Sequence, residues 1–338
     1  MPLANPESPV PATMERSLRA QPRQILDFFS HALASFQSSA SKFQVVCTIP
    51  PTSSLHATTS GHVADDLPKP LPPRTRPRTL IILDSSFNPP TIAHLRMATS
   101  AIRAQKKLDP STLRLLLLLA VNNADKAPKP AAFGQRLAMM WAFAQDIRKQ
   151  QEEGQGLSID VALSTQPYFH AKSAAIAEAD FYNGHGDGNN NGGADENTEQ
   201  VILAGYDTLI RILNPKYYGW PADIETETET KPIQKALDPF FARAKLRVTM
   251  RTDDEWGSRD EQLAYLQDLL DSEGLSKIGG SKNWGGRIEM VEGRKDGEDV
   301  VSSTYARDAA RERDWDRLAK MVTPEVWRWV EGEGLYSD

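Results

Sequence analysis

Thr79-Leu80-Ile81-Ile82-Leu83-Asp84-Ser85-Ser86-Phe87-Asn88-Pro89-Pro90-Thr91-Ile92-Ala93-His94-Leu95-Arg96 is an apolar run that stops at two prolines and restarts as a helix. Leu80 to Leu83 form an unbroken apolar stretch, the pattern of a strand covered on both faces. Pro89 and Pro90 cannot extend a ladder, and proline suits the first helical turn, where a missing N–H costs nothing. Thr91 and His94 stand three apart on that turn and share a face. There the free N–H groups and the positive dipole end point beyond the strand, which suits a phosphate. Read alone, the segment also fits an ordinary capped helix with a surface histidine, since short motifs recur by accident.

The same strand-then-helix unit repeats outward from it. Apolar runs predict strands at Thr79–Leu83, Leu113–Val121, Leu157–Leu163, Val201–Ala204, Leu246–Met250 and Arg287–Val291. Helical spacing fills the gaps at about 92–107, 131–150, 171–182, 206–213, 233–244 and 258–272. Short buried strands joined by helices define an α/β fold, a doubly wound parallel sheet of Rossmann-like type. Its ligands belong beyond the carboxyl ends of the strands, where the strand order reverses.

Ahead of this unit, residues 1–13 are proline-rich and read as a loose tail. A helix over about 23–37 and a strand at Phe43–Ile49 follow, then a Ser/Pro-rich connector over 50–77. The expected division is an N-terminal extension, 1–78, and a main domain, 79–338. Inserts near 183–197 (Gly/Asn-rich) and 223–231 (acidic, repetitive) have nothing to bury and read as exposed loops.

A second helix start lies far down the chain, at Val301-Ser302-Ser303-Thr304-Tyr305-Ala306-Arg307. Serine and threonine are ordinary caps. Arg307, however, shares a face with Thr304, and a guanidinium fork over hydroxyls at a helix N-terminus also makes a phosphate clamp. Two such helix starts in one α/β domain can hold a polyphosphate between them.

Composition removes several classes. With 39 Lys+Arg against 45 Asp+Glu the net charge is −6, which disfavours general nucleic-acid binding. A single cysteine, Cys47, rules out an internal disulfide and a Cys-rich zinc site. The longest strongly apolar run, Leu115–Val121, is far short of the roughly 20 residues of a membrane span, and no targeting segment is evident. The expected location is the cytosol, with the nucleus open. P-loop, Gly-x-Gly-x-x-Gly and nucleophile-elbow signatures are all missing from the sequence.

Ser86-Phe87-Asn88-Pro89-x-Thr91-x-x-His94 resembles the Gly-x-Phe-x-Pro-x-(His/Thr)-x-x-His signature of the nucleotidyltransferase superfamily, and Val301-Ser302-Ser303-Thr304-x-x-Arg307 its Ile-Ser-Ser-Thr-x-x-Arg partner. The best match within it is the nicotinamide mononucleotide adenylyltransferase family, including fungal members with an N-terminal extension. Asn122-Asn123-Ala124-Asp125-Lys126, Gly205-Tyr206-Asp207 and the closing Gly334-Leu335-Tyr336 are similar to further family stretches. The resemblance implies joining of ATP and nicotinamide mononucleotide to give NAD and pyrophosphate, with Mg²⁺ on the ATP and no protein metal site. It implies that His94, Thr91 and Arg307 serve the reaction. The implied ATP contacts are Ser85, Ser86, Phe87, His94, Gly205, Asp207, Ser302, Ser303, Thr304 and Arg307; the implied mononucleotide contacts are Ser86, Phe87, Lys126, Trp220 and Arg251. Trp220, with Tyr217 and Tyr218, also fits plain aromatic packing. Arg251 also fits a solvated surface. Lys172 is a lesser candidate.

Ser85 departs from the pattern, which has glycine there; it either adopts an ordinary backbone or weakens ATP binding. The acidic insert and Tyr206 after Ala204 are expected to narrow or remodel the pocket. Nicotinate mononucleotide, another phosphorylated acceptor, and a degenerate ATP-binding or ATPase module are the competing functions.

Overall fold

The computed structural model describes residues 22–51, 67–122, 130–151, 157–184, 197–219, 231–251, 256–271, 273–294 and 298–337. Its strands are β1 (Phe43–Ile49), β2 (Thr79–Asp84), β3 (Leu113–Ala120), β4 (Ser158–Ser164), β5 (Glu199–Gly205), β6 (Ala244–Thr249) and β7 (Ile288–Val291). They form one sheet of order β1-β4-β3-β2-β5-β6-β7. Every neighbouring pair from β4 to β7 is parallel, and β1 caps the β4 edge antiparallel. From β2 the chain builds outward to β3 and β4, then returns to place β5 on the other side. The order therefore reverses between β2 and β5, which is the switch point of a Rossmann-like sheet.

The helices are α1 (Pro22–Ser38), α2 (Ile92–Ala104), α3 (Phe133–Lys149), α4 (Phe169–Glu178), α5 (Tyr206–Ile212), α6 (Pro232–Arg243), α7 (Arg259–Leu270), α8 (Gly274–Lys277), α9 (Ser303–Arg311), α10 (Trp315–Ala319) and α11 (Pro324–Gly332). Ile81 and Leu83 of β2 pack into one apolar core with α1, α2, α3, α9, α10 and α11. Leu80 and Ile82 pack into the other, with α4 to α8. A strand with period-two side chains and a core on each face presents apolar residues to both, and this explains the unbroken run of β2. Among the described residues no helix is long and apolar enough to cross a membrane.

Residues 22–49 belong to the same sheet and core. Ile25, Phe29 and Phe36 of α1 are buried in the core that holds α3. Behind β1, Asp160 of β4 is fully buried, pairs with Arg114 at 3.0 Å, and accepts hydrogen bonds from the Thr48 and Tyr182 hydroxyls. Arg114 also donates to the Leu71 carbonyl, tying the connector down. Removing one member of such a pair strands a buried charge. Arg114→Ala is expected to cost about 3–5 kcal/mol in urea unfolding; a loss below about 1 kcal/mol would contradict this network's role.

Candidate nucleotide site

The polypeptide leaves β2 at Asp84 and turns into α2 through residues 85–91. Thr91 is the N-cap, and its backbone N–H donates to His94 Nδ1 at 3.0 Å. An N–H can only donate, so Nδ1 is an acceptor and the neutral ring carries its proton on Nε2. That nitrogen lies 2.9 Å from Ser85 Oγ. Burial pushes the His94 pKa down to about 4 from the usual 6.5, so near neutral pH the ring is an uncharged donor. Phe87 packs 5.5 Å from the imidazole and against Phe143. Phe87 is fully buried and holds a left-handed φ of 45°, a strained conformation of the kind that clusters at functional sites.

The second segment meets this loop directly. Ser303 Oγ donates to the Pro89 carbonyl at 2.8 Å, across 214 positions. Arg307 donates to the Asn88 carbonyl at 2.8 Å and to Thr304 Oγ1 at 3.0 Å. Ser302 caps α9 by accepting from the Tyr305 N–H. Tyr336 donates its hydroxyl to Asn88 Oδ1 at 2.8 Å, and the Ile92 N–H of α2 is taken by the Met321 carbonyl. Loop 85–91 is thus anchored by three distant parts of the chain.

A cavity of about 640 Å³ opens at the carboxyl ends of β2, β5 and β6, bounded by α2 and the start of α9. Its wall includes Ser85, Thr91, His94, Gly205, Asp207, Arg251, Ser302 and Ser303. Among the described residues, Ser86, Phe87, Thr304 and Arg307 are not on that wall. Ser86 and Thr304 are exposed. Phe87 supports the imidazole from the core side. Arg307 holds the loop. Lys126 and Trp220 lie outside the described residues. Tyr218 donates to the Ile212 carbonyl and packs on His170. Tyr206 does not narrow the cavity: it is buried at 7% exposure in the opposite core, edge-on to Trp256 and Tyr265. Ser85 takes an ordinary backbone, since the described non-glycine residues with positive φ are Phe87, Arg313 and Tyr336.

The carboxylates of the wall are compensated. Its carboxylates Asp84, Asp207, Glu292 and Glu298 are each met by a cation: Lys172, Arg251 at 3.7 Å with Arg211 at 3.8 Å, Arg259 at 3.0 Å, and Arg96 at 3.0 Å. Arg103 and Arg294 also line the cavity, so the wall carries four guanidinium groups against four carboxylates, with Lys172, Arg211 and Arg259 behind them. Arg96 and Arg294 were not among the sequence candidates, while Asn88 and Tyr336 stood inside the quoted motifs without a role assigned to them.

Gly205 is the N-cap of α5, and a Cβ there would lie 2.7 Å from Asp207 Oδ1. The missing side chain gives the Asp207 carboxylate its place beside the cavity.

Sheet order, switch-point cavity and opposed helix starts define a nucleotide-binding α/β domain. No protein-family model matches the chain. A Schizosaccharomyces pombe (strain 972) protein, provisionally named a nicotinamide mononucleotide adenylyltransferase, is 32% identical over 249 residues, covering 74% of this chain and 82% of that one. The chain belongs to the nicotinamide mononucleotide adenylyltransferase family and is a nucleotidyltransferase. Among solved structures, the Plasmodium falciparum nicotinic acid mononucleotide adenylyltransferase complexed with APC has a TM-score of 0.42 at 11% identity, covering 77% of this chain and 97% of that one. Thermotoga maritima TmcAL bound with alpha-thio ATP has a TM-score of 0.36 at 13% identity, covering 75% and 55%. These likenesses are remote, and the fold assignment rests on the strand order.

Gly205→Ala is expected to leave the thermal midpoint nearly unchanged, because a side-chain tip can turn away, while weakening nucleoside binding several-fold by calorimetry; unchanged affinity would remove Asp207 from the site. The depressed His94 pKa has its own signature. Between pH 6.5 and about 4 the unfolded chain protonates this histidine and the folded chain does not, so stability falls as pH drops through that window. NMR titration of the ring should show an apparent pKa well below 6.5, and His94→Gln should flatten the acid-side loss of stability. A ring titrating at 6.5 would contradict the desolvated, neutral assignment.

Proposed function

We propose that this chain transfers the adenylyl group of ATP to the 5′-phosphate of nicotinamide mononucleotide, forming NAD and releasing pyrophosphate. The observation that carries this reading is the junction of loop 85–91 with the start of α9 beside one cavity at the switch point. Nothing in the reaction requires a covalent enzyme intermediate. An oxygen of the mononucleotide phosphate attacks the α-phosphorus, the bond to the β-phosphate oxygen breaks, and the electron pair leaves on pyrophosphate. The protein's task is to align two anions and offset developing charge.

In this reading the triphosphate lies against the N-terminal turns of α2 and α9, whose N–H groups and dipoles favour it. His94, neutral with its proton on Nε2, directs that N–H to the phosphate side of the cavity, where Ser85 Oγ stands 2.9 Å from the nitrogen. Donation from a neutral ring avoids stabilising the ground state as strongly as a cation would. Asp207 takes a ribose hydroxyl, with Gly205 against the adenosine. Arg251 and Arg294 flank the phosphates. Magnesium arrives as part of the Mg·ATP substrate, coordinated mainly by phosphate oxygens. Lys126 and Trp220 stay candidate mononucleotide contacts on the resemblance alone, as does the preference for the amide over the acid mononucleotide.

Purified protein with Mg·ATP and nicotinamide mononucleotide should yield NAD and pyrophosphate one to one. His94→Ala should lower turnover by about 10²–10³, the scale for one donor aimed at developing charge. Absence of dinucleotide product from folded protein with either the nicotinamide or the nicotinate mononucleotide would overturn the proposal.

A further inference from the structure

Ser85 occupies the position where the family pattern has glycine, and its surroundings give it a role of its own. Its backbone N–H is engaged by the sheet, donating to the Leu118 carbonyl at 3.3 Å. A backbone donor at this point is therefore not available to a ligand. The side chain is placed differently: Oγ lies on the cavity wall, 2.9 Å from His94 Nε2. Because the Thr91 N–H fixes Nδ1 as an acceptor, Nε2–H donates to Ser85 Oγ. A hydroxyl that accepts through one lone pair keeps its own O–H for a second partner, and the incoming bond polarises it into a better donor. The neighbouring Asp84 carboxylate does not compete for that proton on equal terms, since it is held by the buried Lys172 ammonium.

We propose that Ser85 is the group that touches the phosphate, its hydroxyl donating to a non-bridging oxygen of the nucleoside triphosphate while His94 Nε2–H donates into it from behind. His94 then acts largely through Ser85, extending its reach into the cavity by one hydroxyl. No bond to Ser85 forms or breaks, and each proton stays on its own atom. This inference rests on the adenylyl-transfer reading for its activity test, though not for its binding test. The opposite role for the same contact is a latch, in which Ser85 holds the imidazole away from the phosphate.

The test uses the full chain and the variants Ser85→Ala, Ser85→Thr, His94→Ala and the Ser85→Ala/His94→Ala double, each checked for an unchanged thermal midpoint. Ser85→Ala should lower turnover by about 10–10², with KM for the mononucleotide within about threefold. Threonine, which keeps the hydroxyl, should restore most of the rate. The double variant should be no slower than His94→Ala alone, since both residues serve one hydrogen-bond chain. Calorimetry with Mg·ATP and no acceptor should show Ser85→Ala binding about 5–10-fold more weakly, the scale of one lost hydrogen bond. Wild-type turnover and affinity in Ser85→Ala would overturn the proposal, and a faster Ser85→Ala enzyme would overturn it in favour of the latch. If the wild type forms no dinucleotide, the transfer reading fails, and calorimetry alone decides Ser85: weakened binding upholds its contact with phosphate, and equal binding removes it.

Discussion

The site depends on one constraint: the turn from β2 into α2 has to be held still by parts of the chain that fold far away from it. Asn88 is the fixed point. Its carbonyl accepts from Arg307 and its side chain from Tyr336, while the next carbonyl, of Pro89, accepts from Ser303. Asn88 is itself 4% exposed, so these bonds are shielded from water, and losing a partner would leave a buried acceptor unsatisfied. The strained φ of Phe87 sits one residue away. Such a conformation persists only where its surroundings over-determine it, and the three distant anchors supply that.

From this tie the electrostatics follow. The anchored loop presents Ser85, Thr91 and His94 on one side of the cavity, and the same bonds draw Ser302 and Ser303 to the other. Each carboxylate on the wall already has a cation, so an incoming polyphosphate meets few uncompensated negative charges. The sheet contributes position. Since the strand order reverses between β2 and β5, the crevice over their carboxyl ends is left open by the helices, and Gly205 keeps Asp207 seated at its edge.

Much of this was legible in the sequence because it is local. The inner parallel strands announced themselves as apolar runs, since a core lies on each face of them, whereas β6 alternates, with Lys245 and Arg247 turned away from the core. The two helix starts were legible because hydroxyls, proline and helical spacing are short-range signals. What the letters did not reveal is direction in space. Arg307 shares a face with Thr304, as its spacing requires, yet the guanidinium turns to the Asn88 carbonyl; that choice depends on a residue 219 positions away. Phe87 reads as a member of a motif, and the letters do not show that its side chain lies in the core beneath His94. Tyr206 reads as a bulky neighbour of the pocket, and the apolar surface offered by Trp256 and Tyr265 takes it to the other face. The strand Phe43–Ile49 was visible as a strand, whereas its antiparallel pairing with β4, across 112 positions at Thr48 and Asp160, was not.

The central claim is spatial: one cleft, gripped from two sides, receives a nucleoside triphosphate. A crystal structure of this chain with a non-hydrolysable ATP analogue and magnesium tests it most directly. The account predicts phosphate oxygens within hydrogen-bond distance of the Ser85–His94 side and of the α9 start at Ser302–Ser303, with a ribose near Asp207. An analogue bound elsewhere on the molecule, leaving that cleft to solvent, would contradict it.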